Sequence, residues 1–234
     1  MSDTVPPHYQ GLWRRTLLTA PGLYDPSTLV LWMQTAQWHA DLRIPAGRPA
    51  CKGRTSVYEC SPEELSGLLR QEGFAGITRV QGNTCEWLRR MDYHSTGRRD
   101  IGTMAFAPAF DALDEYGIES DYAERWEREP HDSSMQSVSF WGDAHPPTLW
   151  LFSGPFFMQV RARPMHADAA RTTWQRMQDG TACIDELRQL ADFEISFGRI
   201  ANGQGQILHS TLPWLEGTRL TTCATSAVLQ GEEG

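Results

Sequence analysis

Cysteine is scarce and arranged for neither cross-linking nor metal binding. Cys51, Cys60, Cys85, Cys183 and Cys223 are odd in number and form no C-x-x-C pair. That excludes a regular disulfide framework or a zinc site and predicts reduced thiols in a cytoplasm. Long apolar runs are missing too: none approaches the roughly 20 residues of a membrane-spanning helix. The opening Met1 to Pro7 has neither a basic nor an apolar region, so it reads as a short disordered leader and not a secretion signal. Positive charge is in deficit, with 21 Lys and Arg against 29 Asp and Glu, a net charge of −8. Such a surface repels phosphate backbones, and neither nucleic acid nor membrane is expected as a partner. The seven histidines show no H-x-H, H-E-x-x-H or two-His-one-carboxylate spacing, and none sits in a recognisable haem motif. No G-x-S-x-G elbow or P-loop occurs. Neither a metal nor a cofactor is expected.

What is present is a chain of 234 residues, 40% apolar and 21% charged, enough for one large domain or two of about 115 residues. Alternation of apolar and polar residues dominates, which predicts an all-β protein with short helices. Strands are expected at Tyr9 to Leu18, Leu29 to Thr35, Gln37 to Ile44, Phe74 to Gln81, Thr84 to His94 and Ile101 to Ala107. Gly82-Asn83 reads as a hairpin turn. Ser61 to Arg70 predicts a helix: Ser61 can cap it, Pro62 suits its first position, Glu64 completes a capping box and Gly73 follows its end.

The second half repeats this plan. Thr148 to Phe152 resembles Thr28 to Trp32, a helix at Ala182 to Leu190 corresponds to the first, and Phe193 to Leu212 mirrors the earlier hairpin. The offsets are 148 − 28 = 120, 187 − 68 = 119 and 193 − 74 = 119. Tyr9-x-x-x-Trp13 also matches Tyr122-x-x-x-Trp126, which would start the second copy. Two closed barrels, residues 1–118 and 119–234, follow from this reading, with a polar linker at Glu129 to Gln136 and a frayed tail from Gln230. A single irregular sheet is the alternative.

A set of motifs carries a family resemblance. Gly11-Leu12-Trp13-Arg14-Arg15, Asp25-x-x-Thr28-x-Val30-x-Trp32-x-Gln34-Thr35 and Asp41-Leu42-Arg43-Ile44-Pro45 are followed by Gly73-Phe74-Ala75-Gly76, Trp87-x-Arg89-x-x-Asp92 and Tyr122-x-Glu124-x-Trp126. Together they resemble the Hri family, fungal proteins named for interaction with a casein-kinase-type protein kinase, with bacterial relatives. The resemblance implies two tandem antiparallel lipocalin-like (calycin) barrels related by internal repeat, and no established reaction or catalytic residue.

An eight-stranded barrel is just wide enough to fill with side chains or to hold one small ligand. Alternation puts His39, Asp41 and Arg43 on one face of their strand, and Cys85, Trp87, Arg89, Met91 and Tyr93 on one face of theirs. Facing outward, these are solvated strands whose Arg stems cover Trp rings. Facing inward, they line a cavity. Trp13 with Arg15, and Tyr122 with Glu124 and Trp126, repeat the Trp-plus-charge pattern. The candidate ligand wall is therefore Trp13, Arg15, Asp41, Arg43, Trp87, Arg89, Glu124 and Trp126. A small polar or acidic aromatic molecule would suit it. An isomerase, cyclase or lyase would instead need a carboxylate of raised pKa, with Asp41, Asp92 and Glu124 the ones to inspect. Fully packed barrels with an exposed apolar patch would mean a scaffold for a protein partner or a homo-oligomer.

Overall fold

The computed structural model describes residues 4–94, 96–130, 138–142 and 146–220. The first residues of the expected leader, most of the linker, His131, His145, Cys223 and the tail lie outside the described residues. Strands β1 (Gly11–Ala20), β2 (Leu23–Asp25), β3 (Leu29–Gln34), β4 (Trp38–Ile44), β5 (Glu72–Gln81), β6 (Thr84–Asp92), β7 (Asp100–Phe106), β8 (Ala112–Gly117) and β9 (Ala123–Arg128) form one antiparallel sheet. Its order is β2-β1-β3-β4-β5-β6-β7-β8-β9, and β9 pairs back onto β1. The result is a closed barrel of eight strands, with β2 an appended hairpin arm, so the barrel proper has no free edge.

The strand at Ala123–Arg128 is thus the last stave of the first barrel and not the first of a second one. Arg15 lies opposite Trp126, and this pairing seals the cylinder. The expected match of Tyr122 to Tyr9 rested on Tyr-x-x-x-Trp spacing, and the two strands that it relates, β1 and β9, are neighbours in one barrel.

Beyond it, β10 (Val138–Gly142), β11 (Thr148–Ser153), β12 (Phe156–Arg161), β13 (Glu194–Ala201), β14 (Gln204–Ser210) and β15 (Arg219–Leu220) make a second antiparallel sheet in that order. Among the described residues this sheet is open, not a second barrel. Its strand order nonetheless follows β1-β3-β4-β5-β6-β7. The two sheets also share a bulge: register slips at Ala75/Gly76 in β5 and at Phe197/Gly198 in β13, each time at the fifth residue of a strand that starts with Glu. The structural offset there is 198 − 76 = 122, so Glu194, and not Phe193, occupies the opening position.

Turns and caps follow local chemistry. Gly82 takes φ 62° at the first central position of its two-residue hairpin, as a type II′ turn requires. Asn202 and Gly203 both take positive φ, 52° and 73°, as type I′ requires. Helix α1 (Pro62–Leu68) has the expected capping box, with Ser61 Oγ accepting from the Glu64 N–H and Glu64 accepting from the Ser61 N–H. Helix α2 (Ala167–Gln178), which the strand-centred reading passed over, precedes α3 (Ile184–Ala191).

One core joins the halves. The outward side chains of β3 and β4, Leu31, Met33, Ala40 and Leu42, pack with Leu149, Leu151, Met158, Val160, Ile195 and Phe197 of the second sheet. Arg163, 5% exposed, donates to the Leu190 carbonyl (3.2 Å) in its own half and reaches across to the carbonyls of Tyr93 (2.6 Å) and Asp92 (3.3 Å). No described helix is long and apolar enough to cross a membrane.

Candidate functional site

The barrel interior is built in two layers. Trp13, Trp32, Trp87 and Trp126, with Phe74, Cys85 and Met104, make an aromatic layer. Trp32 stands at its centre, stacked on Trp13 at 6.1 Å and edge-on to Trp87 and Trp126 at 5.7 and 5.8 Å. Above it lies a layer of charges. The side chains that alternation placed on one face of β4, His39, Asp41 and Arg43, point inward, because the opposite face is needed for the core shared with the second sheet.

Arg15 and Glu124, each side chain 3% exposed, pair at 2.6 Å, and Arg15 also holds Asp25 at 3.0 Å. Arg43 grips Asp41 through Nε (2.7 Å) and Nη2 (3.3 Å), with its Nη1 3.6 Å from Glu124. Arg89 lies over the Phe74 ring, 3.6 Å from its centre, and binds Asp100 at 2.7 Å and Asp92 at 3.4 Å. That last contact depends on the β5–β6 bulge. Arg89 pairs with Gly76 and Met91 with Ala75, leaving Arg90 as the extra residue. The expected face Cys85-Trp87-Arg89-Met91-Tyr93 therefore breaks at Arg90: Met91 and Tyr93 join the outer core, and Asp92 turns toward Arg89.

Among the described residues no arginine forms an ion pair with Glu115. Trp126 Nε1 donates to its Oε2 at 3.1 Å and the Tyr122 hydroxyl to its Oε1 at 2.7 Å, and it lies opposite Glu124 on the neighbouring strand. Burial first, and then the charge of Glu124, push its pKa well above the ordinary carboxylate value. Burial also raises Asp41, against the pull of Arg43. His39, wholly buried, is pushed down to about 3 by desolvation and by Arg89. Because the Thr78 hydroxyl donates to Gln34 Oε1 (2.7 Å), it accepts from His39 Nδ1 (3.0 Å). That fixes the neutral tautomer with a bare Nε2, which has no partner among the described residues.

Between the layers is a cavity lined by Trp32, Asp41, Arg43, Phe74, Trp87, Asp100, Glu115 and Trp126. A water centre has only about 10 Å3 there, room for roughly one molecule. The Nε1–H of Trp32 is buried and finds no acceptor among the described residues. Of the residues nominated from sequence, Asp41, Arg43, Trp87 and Trp126 line this cavity. Arg15, Arg89 and Glu124 hold the ion pairs around it, and Trp13 lies on the far side of Trp32, its Nε1 tied to the Tyr9 carbonyl at 2.7 Å. Trp32, Phe74, Asp100 and Glu115 were missed. The signal for Glu115 was the alternation Leu113-x-Glu115 in an unassigned strand. Among the described residues, no three His, Cys, Asp or Glu side chains converge as a metal site. Comparison with protein-family models, curated proteins and solved structures finds no match.

Proposed function

We propose that the charged end of the barrel binds a small polar molecule through an acceptor oxygen. The observation that carries this reading is the Trp32 Nε1–H, a buried donor on a cavity wall with no partner among the described residues. An unmade hydrogen bond of this kind costs about 1–3 kcal/mol, which a ligand oxygen or a bound water would recover. Charge narrows the class. Asp25, Asp41, Asp92, Asp100, Glu115 and Glu124 surround only Arg15, Arg43 and Arg89, and all three arginines already hold carboxylates. A neutral polar molecule, carbonyl-bearing for instance, fits this field better than an acidic one. Anything larger than water must displace the Arg43 and Arg89 side chains, which are 20% and 25% exposed and stand at the mouth. The up-and-down order of eight strands supports the lipocalin-like reading of the barrel.

The same groups support an enzymatic reading of isomerase, cyclase or lyase type. A neutral Glu115 could donate a proton while Trp32 Nε1–H steadies the developing oxyanion. Both readings are tested by native mass spectrometry of protein purified gently from its own host, beside a denatured control. A small-molecule adduct in the native spectrum that Trp32→Phe and Arg43→Ala both lose is the expected result. A bare polypeptide mass, or an adduct indifferent to both changes, would overturn the barrel site.

A further inference from the structure

A larger opening lies elsewhere. Where the start of β13 meets the segment before α1, a groove offers water centres about 190 Å3, against about 10 Å3 inside the barrel. The first half contributes Thr55 to Tyr58, and the second contributes Arg161, Asp192, Glu194 and Trp214. We propose that this groove is a second binding site, independent of the barrel, and that it takes a small organic cation: an amine with an aromatic or alkyl body.

Its position repeats that of the barrel mouth. Arg43 lies opposite Glu72, the first residue of β5, and Arg161 lies opposite Glu194, the first residue of β13. In the barrel, strands β6 to β9 close over this end and fill it with Trp87, Arg89, Glu115 and Trp126. The second sheet has no such closing strands among the described residues, so the same end stays open, walled instead by Thr55 to Tyr58.

The charge balance selects the ligand. Arg161 holds Asp192 through Nη2 at 3.0 Å and Glu194 through Nε at 3.2 Å, so two carboxylates meet one guanidinium. Glu194 is fully engaged, its other oxygen accepting from Ser196 Oγ at 2.8 Å. Among the described residues Asp192 spends only Oδ1, on Arg161, and its side chain is 23% exposed. Asp192 Oδ2 is thus available for an ammonium group. The aromatic faces on this wall are Tyr58, 52% exposed, and Trp214, half-buried. Rings of this kind attract cations and stack on flat ligands.

The test is calorimetric titration of the full chain with tryptamine and, separately, with indole-3-acetate, which pairs a similar ring with the opposite charge. Tryptamine is expected to bind at submillimolar concentration and indole-3-acetate at least tenfold more weakly. Asp192→Asn and the surface change Tyr58→Ser should each weaken the amine about tenfold, while Trp32→Phe in the barrel leaves it unchanged. Thermal melts check that the variants are folded. Should Asp192→Asn not fold, Tyr58→Ser decides alone. No heat with tryptamine at millimolar concentration, equal binding of the acid, or loss through Trp32→Phe alone would each overturn the proposal.

Discussion

A buried histidine that cannot be protonated makes stability depend on pH in a definite direction. His39 is pushed down to about 3 from 6.5, so the unfolded chain takes up its proton first as the pH falls. Its contribution is complete above pH 6.5 and is lost as the pH falls toward 3, at about 1.4 kcal/mol per pH unit while one proton separates the states. Glu115 has the opposite sign: raised above 4.5, it favours folding at low pH and loses that contribution as the pH rises through its folded value. His8, His94 and His209 are also lowered, chiefly by burial, and add to the histidine slope. The discriminating measurement is therefore a comparison of urea unfolding between pH 6.5 and 4.5. His39→Gln, which can still donate to Thr78, should show a slope shallower than the native protein by about 1 kcal/mol per pH unit. Identical slopes would mean that His39 titrates normally and is not buried as described. The sequence put His39, Asp41 and Arg43 on one face, but period-two spacing is the same whichever way the face points. Only the competition for the outer wall, won by Leu31, Met33, Ala40 and Leu42, sends the charges inward.

Among the elements, the bulge between β5 and β6 has the largest effect on the site. Gly76 lies so close to its neighbour strand that a Cβ would stand 2.0 Å from the Leu88 carbonyl oxygen and 2.9 Å from the Arg90 nitrogen. Both are backbone atoms, which cannot rotate away. Gly76→Ala should cost about 3 kcal/mol in denaturant unfolding, a large single-site effect with a steric cause. It should also loosen Arg89 from Asp92, because the bulge is what brings them to one face. A change below 1 kcal/mol would show that the strands separate easily there. Neither the bulge nor strand β8 was legible beforehand. A bulge inserts one residue without changing local composition, so alternation read through Arg90 assigns Met91 and Tyr93 to the wrong side. The capping box of α1 and the hairpin turns at Gly82-Asn83 and Asn202-Gly203 were legible, because their chemistry is complete within four residues.

At the scale of the molecule, the halves read from the sequence as separate barrels are coupled through one core. A closed barrel has no edge strands to protect, which on its own favours a first half that stands alone. Its outer wall argues otherwise: Leu12, Leu31, Met33, Ala40 and Leu42 are each 0% exposed in a core that they share with the second sheet and its helices. Polar groups cross the same seam. Arg48 donates to the Ser210 carbonyl at 2.7 Å and to Glu216 at 2.8 Å, Gln71 to the Thr211 carbonyl at 2.9 Å, and Arg163 to the carbonyls of Asp92 and Tyr93. Removing the second half would expose an apolar face and leave those groups to water at once. A fragment of residues 1–130 should therefore self-associate and bind the dye ANS, and it should melt far below the full chain, which should unfold in one transition by calorimetry. Bringing two apolar faces together removes them from water at about 25 cal/mol per Å2, so the seam stabilises both partners. A monomeric fragment melting within a few degrees of the intact protein would mean that the barrel is self-sufficient and that the second sheet merely rests upon it.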